Sequence, residues 1–117
     1  MGYRNEVGLV LTRNDFDKLL SLGDLVKETI DCAEQIKHKD NYCLLLWSYV
    51  KWDEFHFLDE MDTGVIQIMK FLKTIEDKNY KFIRIGDEVG DIEEKGSLYS
   101  SDPFHLGYIQ KLHYEGE

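Results

Sequence analysis

The chain has 117 residues, a formal net charge of −9 and an aromatic content of 13%. Its length, and the lack of any linker-like stretch, predict a single domain over residues 1–117. The charge disfavours nonspecific binding to nucleic acid and to anionic membranes, because both require a cationic protein face. A basic partner protein is the natural electrostatic complement, although the same charge also serves solubility alone.

The cysteines and the chain start indicate the cellular setting. Cys32 and Cys43 match no zinc-binding or redox spacing, and we expect both to be small buried side chains. The first residues lack the apolar segment of a signal peptide. The longest apolar run, residues 42–50, is too short to cross a bilayer. These features predict a cytoplasmic protein without membrane insertion.

The chain begins with a predicted strand and the start of a helix. Residues 6–12 (EVGLVLT) are almost continuously apolar, which is typical of a buried strand. Thr12, with Asp15 three residues later, resembles a capping box and predicts that a helix begins there. Apolar residues then recur at helical spacing as far as residue 33.

The helix and the strand after it have predictable limits. Gly23 lies inside the helix and predicts a weak point at which the helix can break in two. Residues 38–41 end the helix, and we expect His38 to cap its carboxyl end. Residues 41–52 predict a central strand, because the LLLW segment at 44–47 requires cover on both faces.

The second half predicts one more helix and then only strands. An amphipathic pattern spans residues 61–75. Residues 80–85 form an apolar, strand-like run, and a turn at 86–90 lets residues 91–95 return as a hairpin. Residues 104–114 predict a last strand.

The resulting order is β-α-β-α-β-β-β. It predicts an α+β two-layer sandwich, with two helices packed on one face of a mostly antiparallel sheet of four or five strands. A strand–helix–strand start needs a crossover connection, which is right-handed when the two strands are parallel neighbours.

The most distinctive segment is the predicted hairpin, which opens into five carboxylates within eight residues. Their spacing does not fit an EF-hand loop, because the third and sixth positions are apolar, and a weak cation site at the rim of the hairpin is the remaining metal-binding alternative. Two interpretations of these residues are open. They can form a charged sheet edge that prevents association between sheets, or a surface that faces a basic partner. The candidate partner-binding residues are Asp87, Glu88, Asp91, Glu93 and Glu94.

A second acidic group surrounds His56. The spacing of Asp53, Glu54 and His56 matches no metal or acid–base motif. The acids at 59–62 are explained by the start of the next helix, whose dipole favours negative charge. His105 and His113, on the predicted last strand, are too far apart to share a metal. We therefore expect no metal ligand, no cofactor and no catalytic residue.

Two segments together resemble a family of small, uncharacterised phage and prophage proteins. The chain begins MGYRNEV where that family begins MGYRSEV, and FIRIGDE at residues 82–88 is similar to its RIGE-type acidic segment. A YVKW segment at residues 49–52 lies between them. The resemblance spans nearly the whole chain and implies a phage origin without implying a mechanism. It marks six positions as structural or family-like: Tyr3, Arg4, Glu6, Trp52, Arg84 and Gly86.

The two arginines of these segments have a predicted structural role. Arg4 begins the first predicted strand and Arg84 ends the third. Because arginine forms strong paired contacts with carboxylates, we expect each to bind an acid of the hairpin and to fix its shape.

Three functions are compatible with these features. The first is a non-enzymatic module that binds a basic host or defence-system protein through its acidic surface; a homodimer is also compatible with the sequence. The second is a protein that binds or sequesters a nucleotide-like ligand in a pocket lined by Trp47 and Trp52. The third is a metal-dependent enzyme that uses His56. The lack of a catalytic motif favours the first.

Overall fold

In the part of the chain that the structure describes, three α-helices, a short 3-10 helix (Asp77–Asn79), a five-stranded antiparallel sheet and a two-stranded pair form an α+β fold, which confirms the predicted class. The structure is a computed structural model that describes residues 5–50, 64–86, 90–98, 102–108 and 112–113. The helices and strands are β1 (Asn5–Thr12), α1 (Arg13–Leu20), α2 (Asp24–Asp31), β2 (Gln35–Lys39), β3 (Tyr42–Val50), α3 (Gly64–Leu72), β4 (Tyr80–Ile85), β5 (Ile92–Lys95), β6 (Gly107–Tyr108) and β7 (Leu112–His113).

The sheet has the strand order β2-β3-β1-β4-β5, and all neighbours are antiparallel. Strands β1 and β2 therefore run in the same direction with β3 between them, and β3 and β4 do so with β1 between them. Helices α1 and α2 lie in the first of these connections and α3 lies in the second. This doubled split β-α-β connectivity is that of ferredoxin-like folds, with β5 added at one edge.

The helices bury one face of the sheet. Strand residues alternate between faces, and Leu9, Leu45 and Phe82 lie side by side in the register of β1, β3 and β4. They form one core cluster with apolar residues of all three helices. The side-chain oxygen of Thr12 accepts a hydrogen bond from the Asp15 N–H at 3.1 Å, which confirms the predicted start of α1.

The opposite face is covered by the C-terminal part of the chain. Leu98, Phe104 and Leu106 are buried against this face and form a second core cluster with Leu44, Ile83 and their neighbours. Both faces of the central strands are therefore apolar, which explains the unbroken LLLW segment. The predicted two layers are present, and an irregular third layer lies beside them.

The segment predicted as the end of the first helix is instead an edge strand. The helix breaks at Gly23, and β2 pairs with β3 through a two-residue turn. Asp40 and Asn41 form this turn with φ of 51° and 69°, as a two-residue hairpin requires. The prediction that His38 caps a helix was wrong, because His38 lies on β2 opposite Cys43.

Two further predictions differ from the structure. The predicted last strand is a turn followed by the short pair β6–β7, and His105 lies outside both strands with a φ of 48°. Cys32 is exposed rather than buried, whereas Cys43 is buried as expected, and both are free thiols. In the described part of the chain, no helix is long and apolar enough to cross a bilayer.

Candidate functional site

The acidic hairpin predicted from the sequence forms one edge of the sheet. Strand β4 pairs with β5 so that Arg84 lies opposite Glu93 and Ile83 lies opposite Glu94. The Gly86 N–H donates to the Asp91 carbonyl at 2.7 Å and closes the base of the connecting turn. Because neighbouring strand residues point to opposite faces, Glu93 and Glu94 are directed to different sides of the sheet.

Arg84 brings two of the candidate partner-binding acids together. Its Nη2 lies 2.9 Å from Asp91 Oδ1, and its Nε lies 3.0 Å from Glu93 Oε1. A longer contact of 3.4 Å joins Nη1 to the other oxygen of Asp91. Lys95 lies 3.5 Å from the second oxygen of Glu93 and adds a further positive charge. The expected pairing of Arg84 with acids of the hairpin is therefore confirmed.

The electrostatics of this cluster follow from its contacts. The hydrogen bond from Arg84 lowers the pKa of Asp91, because it stabilises the ionised carboxylate. The same bond raises the pKa of Arg84, with a smaller contribution from Glu93. Asp91 is 44% exposed and the Arg84 side chain only 18%, so water screens the acid more than the base.

Gly86 leaves the space that the Asp91 carboxylate occupies. A Cβ atom built on Gly86 would lie 1.8 Å from Asp91 Oδ2 and 2.5 Å from its Cγ. Any side chain at this position would therefore displace the carboxylate from Arg84. The glycine of the RIGD segment thus has a steric role, and Arg84, Gly86, Asp91 and Glu93 form one structural unit, which we call the Arg84 cluster.

The other candidate residues are distributed differently. Glu94 is exposed and lies on the face opposite the Arg84 cluster. Glu6 lies on β1 opposite Ile85, within the same end of the sheet. The remaining candidates fall outside the described residues, so their positions stay predictions: Tyr3, Arg4, Trp52, Asp87 and Glu88.

A buried acid that the sequence did not single out attaches the C-terminal segment to the sheet. The Asp102 side chain is fully buried and accepts hydrogen bonds from the N–H groups of Phe104 and Leu106, at 2.8 and 2.9 Å. Lys81 of β4 lies 3.9 Å from the same carboxylate and donates to the Leu106 carbonyl. An Asp-Pro pair is a turn signal that would have drawn attention to this position.

A histidine on β2 and a cysteine on β3 contact each other. His38 Nδ1 lies 2.9 Å from Cys43 Sγ, and the histidine ring packs edge-on against Phe16. Burial raises the pKa of the Cys43 thiol to about 11, and nearby Arg13 offsets only part of that effect. Because the thiolate is the reactive form, burial disfavours reaction of Cys43 at neutral pH.

Trp47, which the ligand-binding hypothesis places at a pocket, is a core side chain. It is 1% exposed, and its indole N–H donates to the Thr29 carbonyl of α2 at 2.8 Å. This bond satisfies the only polar group of the ring and ties β3 to the helical layer.

The metal-site hypothesis centred on His56 concerns residues 51–63, which lie outside the described residues. Within the described ranges, no group of three or more His, Cys, Asp or Glu side chains is placed to hold a metal ion. Comparison of the chain with protein-family models, with curated proteins and with solved structures gave no match.

Proposed function

We propose that this chain is a small, phage-type interaction protein that binds a basic host or defence-system protein without catalysing a reaction. The observation that carries the proposal is the acidic hairpin at the β5 edge, on a chain with a net charge of −9. A negatively charged edge steers a basic partner towards itself and orients it on arrival.

The Arg84 cluster divides the five candidate acids into two groups. Asp91 and Glu93 bind Arg84 and hold the hairpin in shape. Glu94 is exposed on the other face, and Asp87 and Glu88 belong to the segment between Gly86 and Gly90. We assign partner binding to Asp87, Glu88 and Glu94, and a supporting role to Asp91 and Glu93.

The test compares two triple variants with the same change in net charge. The hairpin variant replaces Asp87, Glu88 and Glu94 with lysine. The control variant makes the same replacement at three exposed acids of α2: Asp24, Glu28 and Asp31. Each protein is immobilised and used to capture proteins from host lysate, which are quantified by mass spectrometry.

The wild type and the α2 variant should capture the same basic proteins, and added salt should weaken this capture. The hairpin variant should lose them while remaining folded. Equal capture by both variants would overturn the assignment to the hairpin, and equal loss in both would show that net charge alone is responsible.

A further inference from the structure

The opposite edge of the sheet, strand β2, presents an apolar side chain beside backbone groups directed away from the sheet. In the described part of the chain, β2 is paired on one side only, with β3. Ile36 is 39% exposed at the middle of this edge. An edge strand with these properties is a template for another strand.

The turn between β2 and β3 fixes which backbone groups point outwards. A two-residue hairpin turn is closed by a hydrogen-bonded pair, here Lys39 and Tyr42. Hydrogen-bonded and non-bonded pairs then alternate along an antiparallel ladder. Ile36 and His38 fall at non-bonded positions, so their N–H and C=O groups are directed away from β3.

We propose that β2 pairs antiparallel with β2 of a second copy of this chain, around a two-fold axis at Ile36. Such an isologous contact is closed, because each edge uses the same residues as its partner. It joins the two five-stranded sheets into one and keeps the helices of both copies on the same face.

The charges on β2 select this register. Pairing centred on Lys37 places two Lys37 side chains opposite each other, and pairing centred on His38 places Lys37 opposite Lys39. Both put like charges face to face, which destabilises cross-strand pairs. Centring on Ile36 instead places Ile36 opposite itself and Lys37 opposite Gln35 of the second copy. Of the two-fold registers that pair at least three residues of β2, it alone avoids facing lysines.

The second edge strand is a poorer site for a second copy. Strand β5 carries Glu93 and Glu94 in the middle of its four residues, and Asp91 precedes it. Two copies placed edge to edge at β5 would bring these carboxylates together. Between Gln35 and Lys39, by contrast, β2 contains no carboxylate. The two edges therefore have separate roles, self-association at β2 and binding of a basic partner at β5.

The test uses a matched pair of isoleucines. Ile36 on β2 and Ile92 on β5 are similarly exposed, at 39% and 36%. Sedimentation velocity over a range of concentrations is measured for the wild type, Ile36→Lys and Ile92→Lys. The wild type and Ile92→Lys should dimerise, and salt should strengthen the dimer because it screens repulsion between two chains of charge −9. Ile36→Lys should remain a monomer with an unchanged circular dichroism spectrum.

A covalent test does not depend on the folding of the lysine variant. Hydrogen-bonded residues across an antiparallel pair have Cα atoms about 5.5 Å apart, which is within the range of a disulfide. In a Cys32→Ser background, Ile36→Cys should form a disulfide-linked dimer on mild oxidation, whereas Ile92→Cys should not. A wild type that stays monomeric at all concentrations would overturn the proposal. Loss of the dimer in Ile92→Lys but not in Ile36→Lys would also overturn it.

Discussion

Replacing Gly86 with alanine should uncouple Asp91 from Arg84 without touching either residue. The backbone of Gly86 does not have a positive φ, so alanine adds no backbone strain. Its Cβ would overlap the Asp91 carboxylate, which must then rotate into solvent. The ion pair between Arg84 and Asp91 is partly exposed. After allowance for solvent screening, its loss should lower the free energy of unfolding by about 0.5–1 kcal/mol. Reduced freedom of the unfolded chain offsets this loss by about 0.4–1 kcal/mol.

The substitution is therefore most informative when it is combined with Asp91→Ala. In the wild type, Gly86→Ala should change the free energy of unfolding by less than about 0.6 kcal/mol, because the two effects oppose each other. In the Asp91→Ala background nothing remains to be displaced, and Gly86→Ala should stabilise the protein by about 0.4–1 kcal/mol.

Urea unfolding of the four proteins gives the coupling energy directly, provided that the m-values agree. The expected coupling is about 0.5–1 kcal/mol. Additive effects, with the same change from Gly86→Ala in both backgrounds, would refute the steric role of Gly86. Arg84→Ala should lower the melting temperature by several degrees, since it removes both contacts of the cluster.

The remaining predictions concern other parts of the fold. Asp102→Ala should lower the free energy of unfolding by about 3–5 kcal/mol in urea titrations, because it leaves two buried N–H groups without their acceptor and Lys81 without its carboxylate. Gly90→Ala should lower the free energy of unfolding by about 1 kcal/mol, because Gly90 has a φ of +83°. Gly96→Ala should lower the free energy of unfolding by about 3 kcal/mol or more, since its Cβ would also lie 2.2 Å from the Tyr80 carbonyl oxygen. Equal losses in Gly90→Ala and Gly96→Ala would contradict that contact. Iodoacetamide should label Cys32 but not Cys43 in the native protein at neutral pH, as read by mass spectrometry. Because burial raises the pKa of Cys43 to about 11, the thiol ionises more readily in the unfolded chain. The free energy of unfolding should therefore keep its full value below pH 9.0 and should fall as the pH rises towards about 11.

The elements predicted best from the sequence are those with strong apolar patterns. The strands β1, β3 and β4 are nearly continuous apolar runs, and the hairpin β4–β5 follows from a glycine-flanked turn. The pairing of Arg84 with acids of the hairpin was predicted, but the register was not. The predicted turn at 86–90 would place Arg84 opposite Ile92, whereas in the structure Arg84 lies opposite Glu93.

The features that were missed carry weak local signals. Strand β2 has a single aliphatic residue, Ile36, and its turn uses Asp40–Asn41 rather than the more common Asn-Gly. Nothing in that segment alternates strongly enough to compete with the helical pattern before it. The contact of Asp102 with Lys81 joins residues 21 positions apart, one of them in an irregular segment. No periodicity predicts such a contact, because it depends on how the C-terminal segment crosses the sheet.

Arg84 makes part of the acidic hairpin a structural unit through its contacts with Asp91 and Glu93. The most direct measurement is the pKa of the Asp91 carboxyl, obtained from NMR titration of the wild type and of Arg84→Ala. In the wild type it should lie below the ordinary value of 3.8, so the cluster stabilises the fold above that pH and its contribution is lost as the pH falls through the lowered pKa. In Arg84→Ala it should return to the ordinary value. An Asp91 pKa that is the same in both proteins would contradict the account.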